Sequence, residues 1–335
     1  MATILALSIV GPGALAVAGD DGPPHAVRPD RPTRTILRPT EIPDLDPAFV
    51  ARSSDRPVCV LVSGIGSDAP DATFDRLVAA LESQCEVHRF GGDPRYPYDT
   101  HGAIGSNADH LIAEVKELAK THPEIKIVAH SMGGPVVDDA FRRGLSAGDK
   151  VTTYVALAAP HNGSTEAKAI LPRLEQASVL GVIPEFRAIT AGVGQDAGTP
   201  AVRDLAAIRA GPPPAGVRRV DLRVATDPIV TAPDAWTPGV ESRTLLPSSL
   251  RYLEGHGGIM ADPQAIALVT AAVGGGLPTL DWRGRILQFA AGQVSAKIAE
   301  IAPSVYAAIA SLCLVGACVW ALRRRRRTLL AGLVA

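Results

Sequence analysis

The stretch Ile125-Lys126-Ile127-Val128-Ala129-His130-Ser131-Met132-Gly133-Gly134 decides the fold of this chain. Its first half is apolar and β-branched, which predicts a buried strand. The residues after it predict a helix over 133–144, so Ser131 lies at a sharp turn from strand to helix. Such a turn exposes the serine hydroxyl and requires small neighbours two positions away, here Ala129 and Gly133. The alternative is a glycine-rich turn with an incidental serine.

Similar strand and helix patterns continue on both sides of this turn. Short apolar runs predict strands, and apolar residues at helical spacing predict helices between them. This alternation predicts an α/β protein with a doubly wound, mostly parallel sheet. The predicted strands are 58–62, 85–90, 125–129, 151–158 and 217–225, and the predicted helices are 71–84, 108–120, 133–144 and 263–273.

Two further residues could activate the serine. A hydroxyl becomes a nucleophile when a base takes its proton and an acid orients that base. Asp227 follows the fifth predicted strand, and His256 lies on a loop before the last helix, so the order along the chain is Ser131, Asp227, His256. Asp227 could instead be a turn residue and His256 a plain loop histidine. A tetrahedral oxyanion would be held by the backbone N–H groups of Ile65 and Met132.

Together these residues resemble the α/β-hydrolase lipases and esterases, in particular bacterial lipases and the GPI inositol-deacylase-like group. The resemblance covers roughly 57–275 and implies the α/β-hydrolase fold. It also implies that the 159–164 element shapes the acyl side of the substrate pocket, with His161 structural and not the base. The matching residues are Val62–Gly66, Ala129–Gly134, Ala159–Ser164, Asp227 and His256, and the pocket candidates are Gly64, His130 and His161.

Both ends of the chain predict membrane segments. Ile4–Ala18 ends in an A-x-A pattern and resembles a signal peptide (1–18) or an N-terminal anchor. Ile301–Leu322 has no charged residue and as a helix would rise about 33 Å, enough for a transmembrane helix. Arg323–Arg327 begin a basic tail (323–335), which places the preceding domain outside the cytoplasm, with the chain spanning the cell membrane once. A buried core helix is the alternative.

The remaining segments complete the predicted organisation. Residues 19–56 are rich in Pro, Asp and Arg and predict a linker, whereas 277–300 would be a juxtamembrane segment after a hydrolase domain at 57–276. The insertion at 164–216 is too long for an ordinary loop, so it predicts a helical cap over the pocket. Fixed core helices are the alternative for this insertion.

Composition and cysteine use limit the function. A formal net charge of −1 gives no electrostatic case for a nucleic-acid partner. No cysteine pair or Cys/His cluster has metal-ligand spacing, and neither a metal nor an organic cofactor is implied. Cys59 and Cys85 lie in neighbouring predicted strands, where they could form a disulfide or remain two small buried side chains.

The sequence therefore predicts a serine hydrolase, an esterase or lipase that acts through an acyl-enzyme on an ester or lipid substrate. An acyltransferase that uses the same acyl-serine is one alternative. A membrane-anchored binding module without catalytic activity is another, because a fold does not dictate a function.

Overall fold

The computed structural model describes residues 54–67, 72–169, 199–227, 229–231, 233–246 and 255–334. Six strands in this part form one sheet in the order β2-β1-β3-β4-β5-β6, and every neighbouring pair is parallel. The strands are β1 Val58–Val62, β2 Glu86–Arg89, β3 Ile125–His130, β4 Val151–Leu157, β5 Arg218–Val224 and β6 Glu241–Leu245.

Helices cover both faces of this sheet. Helices α2 and α3 pack together on one face, and α1 and α6 pack together on the other. The predicted doubly wound α/β fold is thus confirmed. The helices are α1 Asp75–Leu81, α2 Ile104–Thr121, α3 Gly133–Arg142, α4 Pro200–Ala207, α5 Gly255–Gly258, α6 Pro263–Val273 and α7 Trp282–Val334; short 3-10 turns lie at Ala72–Phe74, Ala147–Asp149 and Ile259–Ala261.

Side chains of the central strands alternate between two apolar layers. In β1, Val58, Val60 and Val62 join the layer that includes α2 and α3, whereas Cys59 and Leu61 join the layer that includes α1 and α6. This strand is buried along its whole length. A strand buried on both faces reads as a continuous apolar run, which is why the sequence identified it.

The last strand was missing from the sequence prediction. Strand β6 has the sequence Glu-Ser-Arg-Thr-Leu and pairs with β5 at the edge of the sheet. Only Thr244 and Leu245 are buried, so the strand lacks both a continuous apolar run and a clean alternation. Its pairing with β5, rather than its own pattern, makes it a strand.

The described parts of the predicted cap lie against the domain. Residues 165–169 are helical, and α4 contributes Ala201 and Leu205 to the apolar layer around α2. The side chain of Asp204 accepts a hydrogen bond from the N–H of Ile104, at the start of α2 (2.9 Å). This end of the insertion is thus fixed core. The apolar stretch that would form the cap falls in 170–198, outside the described residues.

The two predicted membrane segments fall in different parts of the chain. The N-terminal segment and most of the linker lie in 1–53, outside the described residues. The predicted span at 301–322 falls within α7. Within the described ranges, no helix combines the length and the apolar character needed to cross a membrane, and the predicted transmembrane helix is therefore without support from the structure.

A disulfide joins the first two strands. Cys59 in β1 bonds to Cys85, the residue before β2, with their Cα atoms 5.7 Å apart. Both side chains are fully buried in the layer beside α1. Of the two possibilities that the sequence left open, the structure contains the bridge.

A buried ionic cluster links α3 to β5 on the face of the sheet that carries α2 and α3. The guanidinium of Arg219 donates to Asp221 Oδ1 (2.8 Å) and to Asp138 Oδ1 (3.2 Å), and it lies 5.3 Å from the ring centre of Tyr154. His161 Nδ1 donates to the other oxygen of Asp138 (2.5 Å). All of these side chains are buried. Each charge thus has an opposite partner, as burial requires.

We expect loss of the disulfide to lower stability. Replacing Cys59 and Cys85 together by Ala should lower the free energy of unfolding by about 3 kcal/mol, because the unfolded chain regains the freedom of the closed loop. Urea unfolding of the oxidised wild type and the double variant measures this difference. Excess reductant should weaken the wild type and leave the variant unchanged. Equal stability of the two proteins would contradict the prediction.

We expect loss of the Arg219 side chain to lower the stability of the protein. Arg219→Ala leaves Asp138 and Asp221 buried beside each other without their cation, which should cost about 3–5 kcal/mol. The matched control is Arg95→Ala, which breaks an exposed ion pair with Asp93 and should change stability by less than about 1 kcal/mol. Urea unfolding of both variants tests the difference, and similar small losses would show that the cluster is not important for stability.

Candidate active site

Ser131 sits in a strained turn between β3 and α3. Its φ is +53°, in the left-handed region that residues with a side chain rarely adopt. Its N–H donates to the carbonyl of Leu157 in β4 (3.0 Å), and its own carbonyl accepts from the N–H of Gly134 (3.0 Å). These bonds hold the turn at the carboxyl end of the sheet, where ligands of open α/β sheets bind.

Glycines pack against this turn because no Cβ would fit. A Cβ on Gly64 would lie 2.8 Å from the Cβ of Ser131, and one on Gly133 would lie 2.4 Å from the carbonyl oxygen of Val62. A Cβ on Gly134 would lie 2.3 Å from that of Ala159. The loop after β1 therefore approaches the serine, and the start of α3 approaches Val62 and Ala159, more closely than a residue with a side chain allows.

The three predicted triad side chains form one chain of hydrogen bonds. Nδ1 of His256 donates to Oδ2 of Asp227 (2.7 Å), because a carboxylate can only accept. Nε2 of the same ring is then the acceptor for the hydroxyl of Ser131, with Oγ at 2.7 Å. Asp227 is the third residue after β5, and His256 lies on α5, a short helix where the sequence predicted a loop.

The surroundings keep Asp227 oriented and shift the protonation of His256. Oδ1 of Asp227 accepts from the N–H groups of Ile229 (2.8 Å) and Val230 (3.0 Å), which leaves Oδ2 for the histidine. Burial by itself would lower the pKa of His256. The negative charges of Asp227 and Glu166 outweigh that effect, so the pKa of His256 lies above its usual value.

The side chain of His130 contacts the backbone of His256, the predicted base. Its Nε2 donates to the backbone carbonyl of His256 (2.9 Å), and the two rings lie 5.0 Å apart. The ring also packs edge-on against Phe74. Its position beneath the nucleophile turn thus fixes the short helix that carries the base.

The predicted oxyanion donors lie on either side of Ser131. Met132 is the residue before α3, and Ile65 lies in the turn after β1, next to Gly64. The loop carrying Ile65 is held by Tyr98, whose hydroxyl donates to the carbonyl of Ser63 (2.7 Å). Both backbone segments thus lie next to the serine, and the oxyanion role of their N–H groups stays a prediction.

The side chain of His161 faces Asp138 and Asp221 and not Ser131, Asp227 or His256. Its Nδ1 faces Asp138, its Nε2 lies 3.6 Å from Asp221, and the residue is 1% exposed. A carboxylate faces each ring nitrogen, and the ring is buried, so it does not face a substrate in this structure. In the described part of the chain, no group of histidine, cysteine, aspartate and glutamate side chains could hold a metal ion.

Sequence reasoning missed two sets of buried polar residues. Glu166 is buried and stood in the predicted cap without any motif to mark it. Arg219 and Asp221 were passed over in strand β5, where they alternate with Val220 and Leu222, although charged residues in a buried strand are a recognisable signal of a buried ion pair.

Comparisons with known proteins gave similarities at the level of structure. No family model and no curated sequence matches the chain. Solved structures that resemble it include the RedJ thioesterase of the prodiginine pathway from Streptomyces coelicolor (17% identity, TM-score 0.41, 68% of this chain and 95% of that one). Others are Bacillus licheniformis lipase BlEst2 (16%, 0.39, 57% and 83%) and Aspergillus fumigatus lipase B (16%, 0.44, 78% and 62%).

The assignment of the fold rests on the chain itself. The parallel sheet crosses over at β1 and β3, the serine lies in a left-handed turn between β3 and α3, and the residues Ser131, Asp227 and His256 follow the chain order of that architecture. The described part of the chain therefore has the α/β-hydrolase fold.

Proposed function

We propose that this protein is a serine carboxylic-ester hydrolase. The observation that carries the proposal is the continuous chain of hydrogen bonds from Asp227 through His256 to Ser131, with both bonds at 2.7 Å. A strained turn presents the hydroxyl, and buried neighbours hold the base in one orientation. Structural packing alone gives no reason for this combination of strain and ordered proton acceptors.

The reaction follows from the direction of these bonds. Oγ of Ser131 attacks the ester carbonyl while Nε2 of His256 takes its proton, and the carbonyl electrons move onto the oxygen. The backbone N–H groups of Ile65 and Met132 would stabilise that oxyanion. His256 returns the proton to the leaving alcohol, and an acyl-serine forms. Water then attacks the acyl-serine while His256 takes its proton, and His256 returns that proton to Oγ of Ser131 as the bond to the acyl group breaks and the acid is released.

The pH dependence follows from the base. Only the neutral imidazole of His256 can accept the serine proton. The rate should therefore fall as the pH decreases through the raised pKa of His256.

The same acyl-serine could pass to an alcohol instead of water, which is the acyltransferase alternative. Exclusion of water during the second step would distinguish the two reactions. The binding-module alternative requires the serine to be unreactive.

A fluorophosphonate probe tests the proposed chemistry. We expect the wild type to be labelled covalently and Ser131→Ala to be unlabelled. On a panel of p-nitrophenyl esters from acetate to palmitate, Ser131→Ala and His256→Ala should each lose at least about 1,000-fold in kcat/KM. The double variant should be scarcely worse than either single one, because the groups act as a unit.

The matched control for this experiment is His161→Asn, which changes a histidine outside the triad. It should lower stability while the remaining folded protein keeps its labelling. A His256→Ala variant with near-normal kcat would contradict the assignment of the base. A folded wild type that neither labels nor hydrolyses any ester would favour the binding-module alternative.

The proposed location is the outer face of the cell membrane. Two features support it: the Cys59–Cys85 bridge, since disulfides persist in oxidising compartments, and the uncharged stretch Ile301–Leu322 followed by Arg323–Arg327. The ester or lipid substrate would then be met at or near the membrane surface.

Protease added to intact cells tests the location of the full-length chain. We expect external protease to digest or release the hydrolase domain while a cytoplasmic marker protein stays intact. Immunoblotting before and after lysis gives the result. Digestion of the domain only after lysis would place it inside the cell and contradict the proposal.

A further inference from the structure

Asp234 is a buried carboxylate in the loop that follows β5 and the triad acid. It is 3% exposed, and its oxygens accept four hydrogen bonds. Oδ2 accepts from the N–H (3.3 Å) and the hydroxyl (2.9 Å) of Thr231 and from the N–H of Thr165 (3.0 Å). Oδ1 accepts from the hydroxyl of Thr165 (2.9 Å). A carboxylate without water needs such donors, so these bonds hold Asp234 and both threonines together.

The geometry of a local turn accounts for only half of these bonds. Thr231 and Asp234 stand three residues apart, and the N–H of Asp234 donates back to the carbonyl of Thr231 (3.0 Å), as in a capping box. Thr165, in contrast, stands 69 residues away along the chain. The N–H of Asn162 also donates to the carbonyl of Asp234 (2.8 Å), and its side-chain amide donates to two further carbonyls of this loop. Asp234 thus joins the loop after β5 to the segment that contains Asn162 and Thr165.

The same loop holds the triad acid. The two consecutive N–H groups just before Thr231 donate to Oδ1 of Asp227 (2.8 and 3.0 Å). A shift of Thr231 would therefore move both donors. Their bonds leave Oδ2 of Asp227 for Nδ1 of His256 (2.7 Å). Hydrogen bonds and one short stretch of backbone thus connect Asp234 with the base.

We propose that Asp234 is a positioning residue for the triad, which acts through Thr231 and Asp227 on the orientation of His256. Without Asp234, the backbone that holds Asp227 would lose its attachment to Thr165. A misplacement of about 1 Å in such a site can cost about 100-fold in rate. For its effect on turnover this inference rests on the proposed function, whereas for its effect on the protonation of His256 it does not.

Steady-state kinetics of the full-length protein measure this role. In Asp234→Ala, we expect kcat to fall by about 100-fold while KM stays within about twofold of the wild type. Asp234→Asn should recover most of the lost rate, because its amide oxygen can accept where Oδ2 does and its NH2 group can donate to the hydroxyl of Thr165. Equal losses of kcat in the two variants would overturn the proposal.

A double variant separates positioning of Asp227 from a general loosening of the site. If Asp234 acts through Asp227, Asp234→Ala should not lower kcat further in an Asp227→Ala background, because the group that it positions is already gone. The same loss of kcat in both backgrounds would show that Asp234 does not act through the triad acid.

Thr231→Val tests the same path in case Asp234→Ala does not fold. The substitution keeps the shape of the side chain and removes only the hydroxyl that donates to Asp234. We expect kcat to fall by about fivefold, the loss expected for one hydrogen bond. A folded Thr231→Val with the kcat of the wild type would contradict the path through Thr231.

The matched control is Asp204→Ala. Asp204 is also a carboxylate that joins two parts of the chain, since it accepts from the N–H of Ile104 (2.9 Å), but its bond lies between α4 and α2. This variant should lower the Tm and leave the kcat of the folded protein unchanged. A loss of kcat as large as that in Asp234→Ala would reduce both aspartates to general stability.

Titration of His256 gives a test that needs no turnover. In Ser131→Ala, carbon-13 NMR of labelled histidines should show a resonance that disappears in Ser131→Ala/His256→Asn. Burial lowers the pKa of His256, whereas the charge of Asp227, the hydrogen bond to it and the charge of Glu166 raise that pKa. Loosening of Asp227 should therefore move the titration to lower pH.

In the Ser131→Ala background, we expect this shift with Asp234→Ala and not with Asp204→Ala. An unmoved titration in Asp234→Ala overturns the inference whatever the activity. A moved titration in a protein whose wild type has no esterase activity would support the inference and reject the proposed function.

Discussion

The left-handed backbone of Ser131 is the constraint on which the rest of the site depends. With φ at +53°, the residue would relax if it were free, so the surrounding structure must hold it. The hydrogen bond to Leu157 and the bond from Gly134 do this from within the sheet and helix. The loop after β1 closes the third side, where only the missing side chain of Gly64 leaves room for the serine.

Charge is arranged in two separate buried groups below and beside this turn. In the first, Arg219 lies between two aspartates and thereby links α3, which begins just after the serine, to β5. In the second, Asp227 faces His256, and only the histidine can become a cation. The cation of the first group is permanent, whereas the cation of the second exists only when the imidazole is protonated. The permanent ion pair is suited to holding the structure together, whereas a histidine that gains and loses its charge is suited to accepting a proton during a reaction.

Local patterns in the sequence were sufficient for five of the six described strands and for the positions of Ser131, Asp227 and His256. Strands β1 and β3 are largely apolar, so each is visible by itself, and the strand-to-helix turn at Ser131 carries its own signature of small residues. Strand β6 was missed because four of its five residues are polar and only Thr244 and Leu245 are buried. His256 was expected on a loop, because Gly255-His256-Gly257-Gly258 has no helical pattern; packing on His130 and the following turn places it on a short helix.

The sequence by itself determined the doubly wound sheet and the order of Ser131, Asp227 and His256, because these depend on hydrophobic period and on chain order. Only the tertiary structure decided the contacts between residues far apart in the chain. These are the bridge between Cys59 and Cys85, the two aspartates that face the ring of His161, and the hydrogen bonds from His256 to Asp227 and Ser131. None of them has a local pattern, because each arises where separate elements meet and burial forces polar groups to find partners.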